Sequence, residues 1–314
     1  MAGQPQFPSE QTDTGEFKRQ DDVFRHWVTE DGRSGYLAEA GRYHLYVSLA
    51  CPWAHRTIIV RALKGLTAVI GMTVVDPIRD ERGWAFHHGP DHSLDSINGF
   101  HFLSEAYRVT DPHYRGRVTV PVLWDTVTRR IVNNSDDDLM RIFNGEFNRF
   151  TVNPLDLYPA ALRLEIDEMN RFLYETVNDG VYRAGFATSQ EAYERAARSL
   201  FAALDRLDTR LRDRRYLFGP QFVESDWRLF VTLLRFDAVY HGHFKCNLRR
   251  ILDYPHLSGY LRDLYQVEGI ADTVNFDHIK RHYYITHDDI NPTRIVPIGP
   301  RLDLRSPHGR VALS

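Results

Sequence analysis

The sequence is poor in cysteine: its 314 residues contain two, Cys51 and Cys246. The two lie far apart in unlike surroundings, so a disulfide framework is not expected and a reducing compartment is the simpler environment. No apolar run approaches the ~20 residues that a membrane helix needs, and the polar N-terminus lacks the apolar core of a secretory signal. We therefore expect a cytoplasmic protein that does not act in a membrane.

An excess of charge of either sign is also lacking. The formal net charge is -3 and the pI about 6.6, so no global basic field predicts nucleic acid as a partner. Glycine-rich phosphate loops and Ser/His/Asp signatures are absent. Five histidines crowd residues 87–113, but no cysteine or carboxylate accompanies them at metal-ligand spacing, so we expect no metal site.

Two kinds of pattern divide the chain. Residues 41–145 show strand and helix patterns in the order βαβ…ββα, which predicts a thioredoxin-like mixed sheet with helices on its faces. Residues 158–285 carry long amphipathic helical patterns. Residues 1–40 are interpreted as a polar arm, and residues 286–314 as a tail interrupted by proline and glycine. The predicted strands are 43–48, 67–75, 118–124 and 130–132, the helices 52–64, 136–143, 160–177, 190–212, 227–240 and 256–265, and 80–117 a long irregular connection.

Cys51 stands at a predicted strand-to-helix junction, with Pro52 in the first helical position, where its missing N–H has no intrahelical partner. A sulfur there faces unpaired backbone N–H groups and the positive end of the helix dipole, which favour the nucleophilic thiolate. Ala54 occupies the position of a resolving cysteine, so a mixed disulfide at Cys51 would need a second thiol from solution. The alternative is a buried structural cysteine, which is our interpretation of Cys246.

Pro121 lies inside a predicted strand, where proline would remove a ladder hydrogen bond. In thioredoxin-like proteins, a cis-proline turns the chain beside the cysteine at this place. The preceding residue, Val120, would then offer its backbone to a bound peptide-like thiol. An edge strand is the alternative interpretation.

Three segments resemble the glutathionyl-hydroquinone reductases, the xi class of glutathione transferases. They are YHLYVSLACPWAHR at 43–56, RFDAVYHGHFKCNLRR at 235–250 and TVNFDHIKRHYY at 273–284, the last followed by Asn291-Pro292-Thr293. The resemblance spans nearly the whole chain. It implies an α/β thioredoxin-like N-terminal domain, an all-α glutathione-transferase C-terminal domain and a homodimer.

The resemblance also implies an activity, the reduction of S-glutathionyl-hydroquinones to hydroquinones with glutathione as co-substrate. It assigns Cys51 as the nucleophile, which attacks the sulfur of the conjugate so that the aromatic ring leaves and takes up a proton. Among the remaining site residues, some would hold the thiol and others would line the quinone pocket. The thiol-binding residues are Trp84, Arg117, Val120, Pro121, Ser135 and Asp136, and the pocket tyrosines, one of which could supply the proton, are Tyr182, Tyr240 and Tyr283.

Two departures from the family pattern stand out. The family usually has a Glu-Ser pair before the helix predicted here at 136–143, whereas this chain has Ser135-Asp136, the same two group types in reversed order. Another low-molecular-weight thiol is therefore an alternative to glutathione. Val223 stands where a hydroxyl commonly caps the following helix, a loss of about 1 kcal/mol unless Glu224 or Ser225 substitutes.

Two further functions remain open from the sequence. The first is thioltransferase work on protein or small-molecule mixed disulfides, which would keep the fold and change the substrate. The second is a binding protein that has kept the fold and lost catalysis; the Cys51-Pro52 junction and the three tyrosines argue against it.

Overall fold

The computed structural model describes residues 8–313, which form two compact units. The thioredoxin-like unit consists of residues 21–156 and 272–282. The helical unit consists, within the described range, of residues 8–20, 157–271 and 283–313. The predicted arm, residues 1–40, is divided between the two units at residue 20. The domain boundaries given in the sequence analysis stay a prediction. The first seven residues of that arm and the last residue of the predicted tail lie outside the described residues.

A four-stranded mixed sheet forms the centre of the thioredoxin-like unit. Its strand order is β2-β1-β3-β4, with β1 and β2 parallel and the other two pairs antiparallel. All five residues of β1 are buried, as expected for a strand covered on both faces. The elements are β1 (Tyr43–Val47), α1 (Pro52–Leu63), β2 (Gly71–Val74), α2 (Leu103–Thr110), β3 (Val122–Asp125), β4 (Arg130–Asn133) and α3 (Asp136–Gly145).

Two predicted strands are shorter in the structure. The strand predicted from residue 67 begins at Gly71, because the N–H groups of Val69 and Ile70 both donate to the Leu66 carbonyl and close a turn. The strand predicted from residue 118 begins at Val122. Pro121 therefore precedes the strand and removes no ladder hydrogen bond.

The long connection 80–117 contains helix α2, which the sequence analysis missed. Glu105 in its first turn accepts hydrogen bonds from the backbone N–H groups of His101 and Phe102, both at 2.9 Å. Leu103, Ala106, Tyr107 and Thr110 are buried on one face. That spacing was the available signal, but an eight-residue helix shows only two turns of it.

The helical unit has the predicted amphipathic helices, with shifted ends. The predicted helix 160–177 contains a 3₁₀ turn, an α-helix and a π-helical turn, and the predicted helix 227–240 starts earlier and ends in a π-helical turn. A short helix at 180–185 was not predicted. The elements are α4 (Arg163–Leu173), the π turn Tyr174–Asn178, α5 (Gly180–Gly185), α6 (Gln190–Arg210), α7 (Glu224–Arg235), the π turn Phe236–Tyr240 and α8 (Leu257–Tyr265).

The end of the chain contributes to both units. Helix α9 (Phe276–Arg281) belongs to the thioredoxin-like unit and continues into the π turn His282–Thr286. From residue 287 to 313 the described chain has neither helix nor strand. Across residues 8–313, no helix combines the length and apolarity needed to span a bilayer.

Candidate active site

Cys51 is the N-cap residue of α1, and Pro52 is the first helical residue, as predicted. The backbone at Cys51 is extended (φ -75°, ψ 122°), so the chain leaves β1 and turns into the helix at this residue. The thiol is partly exposed. Its sulfur lies 3.7 Å from the carbonyl oxygen of Val120. The helix N-terminus favours the thiolate at this place.

The Val120–Pro121 peptide bond is cis, which confirms the sequence prediction. The segment that leads to this bond is anchored by Tyr107 of α2. The Tyr107 hydroxyl donates to the carbonyl of Thr119 at 2.9 Å and accepts from the Thr119 N–H at 3.1 Å. A buried side chain thus fixes the backbone next to Val120, whose carbonyl faces the Cys51 sulfur.

Trp84 is buried and belongs to the same unit as Cys51. Its indole stacks on the imidazole of His282, with ring centroids 5.0 Å apart and planes 22° from parallel. The Nδ1 atom of His282 lies 2.7 Å from the Pro77 carbonyl oxygen, so this nitrogen carries the proton that it donates. The guanidinium of Arg79 lies 5.5 Å from the Trp84 ring centroid. Trp84 is therefore held by Arg79 from its own connection and by His282 from the π turn near the end of the chain.

Arg117 lies on the connection between α2 and β3, with its side chain partly exposed. Its carbonyl accepts a hydrogen bond from the Tyr114 hydroxyl at 2.6 Å. The structure thus fixes the backbone at Arg117. The assignment of its side chain to thiol binding stays a prediction.

Ser135 and Asp136 stand at the beginning of α3, Ser135 as the N-cap residue. The Ser135 N–H donates to the Asn133 side-chain oxygen at 2.7 Å. The Asp136 carboxylate accepts from Nη1 of Arg56, on α1, at 2.7 Å, and the Arg56 side chain is almost fully buried. One cation therefore ties the carboxylate at the start of α3 to the helix that Cys51 caps.

The three tyrosines form one hydrogen-bonded cluster inside the helical unit. The hydroxyl oxygen of Tyr283 lies 2.5 Å from that of Tyr182 and 3.0 Å from that of Tyr240. All three side chains are buried. Burial raises the pKa of Tyr240 and of Tyr283 well above the ordinary tyrosine value, and the neighbouring Tyr182 raises both further. Both hydroxyls therefore keep their protons at neutral pH.

The backbone under this cluster is irregular. Tyr240 ends the π turn Phe236–Tyr240, and Tyr283 lies in the π turn His282–Thr286. Such turns are frequent at functional sites because they redirect side chains from the regular helical spacing. Neither turn was predicted, since the sequence shows no mark of the extra residue.

Cys246 is fully buried in the helical unit. Burial raises the pKa of its thiol above the ordinary value. This environment matches the structural role expected for Cys246, because a thiol that stays protonated is a poor nucleophile. Both cysteines lie in the described part of the chain, and no disulfide joins them there.

The comparisons with known proteins agree with this geometry. The glutathione S-transferase N-terminal domain matches residues 50–139, and the corresponding C-terminal domain matches residues 190–263. Glutathionyl-hydroquinone reductase YqjG of Escherichia coli is 52% identical over 303 residues, 94% of this chain and 92% of that protein. Glutathionyl-hydroquinone reductase PcpF of Sphingobium chlorophenolicum is 51% identical, over 91% of this chain and 90% of that protein.

Solved structures of similar proteins have the same fold as this chain. The glutathione-bound structure of the Escherichia coli YqjG has a TM-score of 0.91, covering 92% of this chain and 96% of that one. The glutathione transferase Xi of Phanerochaete chrysosporium has a TM-score of 0.88 at 51% identity, covering 90% and 97%. The chain belongs to the glutathionyl-hydroquinone reductase family of xi-class glutathione transferases. The predicted fold, a thioredoxin-like domain with an all-helical glutathione-transferase domain, is confirmed.

For this member of the xi class, sequence reasoning missed three residues next to the predicted site. Arg56 binds Asp136, Asn133 binds the Ser135 backbone, and His282 stacks on Trp84. Arg56 and His282 were part of the matching segments, but nothing in those segments indicated their partners. The Arg56 and His282 contacts join residues distant in sequence, and the Asn133 contact is made by a side chain where β4 passes into α3, so periodicity could not reveal them.

The described residues of this xi-class protein contain no cluster of metal-binding side chains. Within residues 8–313, no three histidine, cysteine, aspartate or glutamate side chains form a group that could hold a metal ion. Of the histidines between 87 and 113, His92 packs edge to face with His278, and His87 pairs with Asp76 at 3.1 Å. The expectation that the protein needs no metal stays a prediction.

Proposed function

We propose that this protein reduces S-glutathionyl-hydroquinones to hydroquinones with glutathione, through a mixed disulfide on Cys51. Membership of the glutathionyl-hydroquinone reductase family carries the overall reaction. The observation that supports the route is the position of Cys51, partly exposed at the N-terminus of α1, 3.7 Å from the Val120 carbonyl and without a cysteine at position 54. The mixed disulfide is our proposal.

In the first half-reaction, the Cys51 thiolate attacks the glutathione sulfur of the conjugate. A sulfur–sulfur bond forms, and the bond from that sulfur to the ring carbon breaks. Its electron pair goes to the ring, which takes up one proton and leaves as the hydroquinone. The ring is reduced by two electrons, and the two sulfurs are oxidised to the disulfide.

In the second half-reaction, a glutathione thiolate from solution attacks the glutathione sulfur of the mixed disulfide, because position 54 is alanine and supplies no resolving cysteine. Glutathione disulfide leaves, and Cys51 returns to the thiolate. The overall reaction consumes the conjugate and one further glutathione. This order follows from thiol–disulfide exchange, in which the attacking thiolate must come from solution when no resolving cysteine is present.

Thiol binding is assigned to the residues around Cys51, as the family resemblance implies. The Val120 backbone would pair with the thiol tripeptide beside Pro121. Asp136 would receive its ammonium group, because a carboxylate accepts hydrogen bonds at about four sites and stands here at the start of α3. Trp84, Arg117 and Ser135 complete the proposed set.

The proton for the ring carbon is assigned to the tyrosine cluster. Tyr182, Tyr240 and Tyr283 share their hydrogen bonds, and burial keeps Tyr240 and Tyr283 protonated. A hydrogen-bonded group can pass a proton on and be refilled by its neighbour, which suits general acid catalysis. The homodimeric assembly and the cytoplasmic location stay predictions.

The test is mass spectrometry of the purified protein incubated with S-glutathionyl-menadiol, first alone and then with glutathione. We expect a glutathione adduct on Cys51 that the second addition releases. Cys51→Ser should form no adduct and lose turnover, whereas the matched variant Cys246→Ser should retain both. Full activity in Cys51→Ser would contradict the mechanism.

The same experiment separates the alternatives. An adduct from glutathione disulfide but none from the conjugate would indicate a thioltransferase. Release of the adduct by another low-molecular-weight thiol, and not by glutathione, would show that the Ser135-Asp136 order has changed the co-substrate. No adduct from any source, with Cys51 unreactive to alkylation, would indicate a binding protein.

A further inference from the structure

A cavity in the helical unit has no role in the reaction proposed above. It lies between the segment 12–19 and one face of α6, and its volume is about 610 Å³. This volume falls in the range of small-molecule sites. None of the catalytic or thiol-binding residues proposed above lines it. The cavity is larger than an inorganic ion requires.

Most of the charged side chains that line this cavity are cationic. The lining cations are Lys18, Arg19, Arg183 and Arg195, and the lining carboxylates are Glu16 and Asp179. Two further carboxylates act on these cations from outside the wall, Glu191 on Arg195 and Glu10 on Arg19.

The Asp179 carboxylate forms salt bridges with two of these arginines. Nε of Arg19 and Nε of Arg183 each lie 3.1 Å from a different oxygen of Asp179. Asp179 is buried, and the Arg19 side chain is only 19% exposed. Asp179 carries one negative charge for the two guanidinium groups, and the Glu10 carboxylate also acts on Arg19.

Hydrogen-bond donors on the cavity wall remain available for an anionic ligand. Within residues 8–313, the Lys18 ammonium and the terminal nitrogens of Arg183 make no hydrogen bond. Lys18 is exposed and Arg183 is 43% exposed, so a ligand can reach both. Arg183 Nε is fixed on Asp179, and this anchors the guanidinium before any ligand arrives. A fixed guanidinium is suited to binding both oxygens of a carboxylate or phosphate.

The floor of the cavity accepts an apolar body. Ala192 and Ala196 lie one turn apart on the α6 face, and Ser199 follows on the same face. Phe17 and Tyr174 add aromatic surface. The short α6 side chains leave the space, and the cations surround it.

We propose that this cavity binds a small organic anion, in which a carboxylate or phosphate group is attached to an apolar body. The anionic group binds Lys18 and Arg183, and the apolar body lies on Ala192 and Ala196. The proposal is independent of the Cys51 chemistry.

The test is isothermal titration calorimetry of the full-length protein with three matched probes: benzoate, phenyl phosphate and the neutral benzamide. We expect benzoate or phenyl phosphate to bind and benzamide not to, with affinity falling as salt is added. The stronger of the two anions identifies which oxyanion the site prefers.

Variants locate the binding. Lys18→Gln and Arg183→Gln should each weaken binding of the preferred anion about tenfold, the loss expected for one charge-assisted contact. Arg198→Gln is the matched control, because Arg198 lies on α6 outside the cavity and pairs with Glu194. Among residues 8–313 the exposed Lys18 ammonium makes no hydrogen bond or ion pair, so its variant stays informative if Arg183→Gln is unstable.

Three results would overturn the proposal. One is binding of benzamide as tight as that of the anions. Another is that neither anion gives a binding heat at concentrations up to about 1 mM. Binding would then be weaker than a dissociation constant of about 1 mM, which corresponds to a binding free energy of about 4 kcal/mol. The third is an equal effect of Lys18→Gln and Arg198→Gln.

Discussion

Asp226 is a buried carboxylate whose titration should be visible in the stability of the protein. It lies in the first turn of α7 and is fully buried. It accepts hydrogen bonds from the N–H of Val223 at 2.8 Å, the N–H of Leu217 at 2.9 Å and the hydroxyl of Tyr260 at 2.7 Å. The N-cap residue of α7 is Val223, which has no hydroxyl to cap the helix. The Asp226 carboxylate accepts a hydrogen bond from the Val223 N–H at this helix start.

Burial raises the pKa of Asp226 from 3.8 to about 6, against the opposing effect of its three hydrogen bonds. The folded protein therefore holds the Asp226 proton more tightly than the unfolded chain. The stability that this proton contributes is complete below about pH 3.8 and is lost as the pH rises through about 6. The full effect is about 3 kcal/mol, of which about 1 kcal/mol appears between about pH 7 and about pH 5.

The assay is urea unfolding of the wild type and of Asp226→Asn at both pH values, followed by tryptophan fluorescence. Asparagine has nearly the same shape and does not titrate, so the difference between the two proteins isolates this carboxyl group. We expect the free energy of unfolding of the wild type, relative to the variant, to increase by about 1 kcal/mol from about pH 7 to about pH 5. Titration of other groups cancels in this difference.

Asp253→Asn is a control for which no change is expected. Asp253 is exposed, and its hydrogen bonds with Arg250 lower its pKa from 3.8. Its contribution to stability is lost only as the pH falls below about 3.8, so the difference between wild type and this variant should stay constant from about pH 7 to about pH 5. A wild-type advantage over Asp226→Asn that stays constant or shrinks at the lower pH would refute the reasoning.

Three further predictions concern other buried groups. Arg56→Met should lower the free energy of unfolding by about 3–5 kcal/mol, measured by urea unfolding, because it leaves the Asp136 carboxylate without its buried cation. Tyr107→Phe should lower it by about 1–3 kcal/mol, since the Thr119 N–H and carbonyl lose their buried partner. Cys246 should resist iodoacetamide in the native protein and react only after denaturation, as judged by mass spectrometry, because it is buried and its pKa is raised.

Each of these three predictions has a control or a result that would contradict it. Arg198→Gln, on the surface, should change stability by less than about 0.5 kcal/mol. Equal stability of Tyr107→Phe and wild type would mean that the Thr119 backbone finds another partner. Rapid modification of Cys246 in the folded protein would contradict its burial.

The sequence by itself determined the fold class and the position of the candidate nucleophile. A strand, a cysteine and a proline at the start of a helix are adjacent in the chain, so Cys51 at the N-terminus of α1 could be predicted from local pattern. The cis bond before Pro121 was predicted from the same resemblance to thioredoxin-like proteins and is present.

Only the tertiary structure decided what surrounds these positions. It joined Arg56 to Asp136, stacked His282 on Trp84 and brought Tyr283 into hydrogen-bonding distance of Tyr182. It also assigned residues 272–282 to the thioredoxin-like unit, although the sequence places them after the last long helix. Secondary structure leaves its period in neighbouring residues, whereas these contacts join residues tens to hundreds of positions apart. Their geometry depends on how the packed elements meet, which no local pattern records.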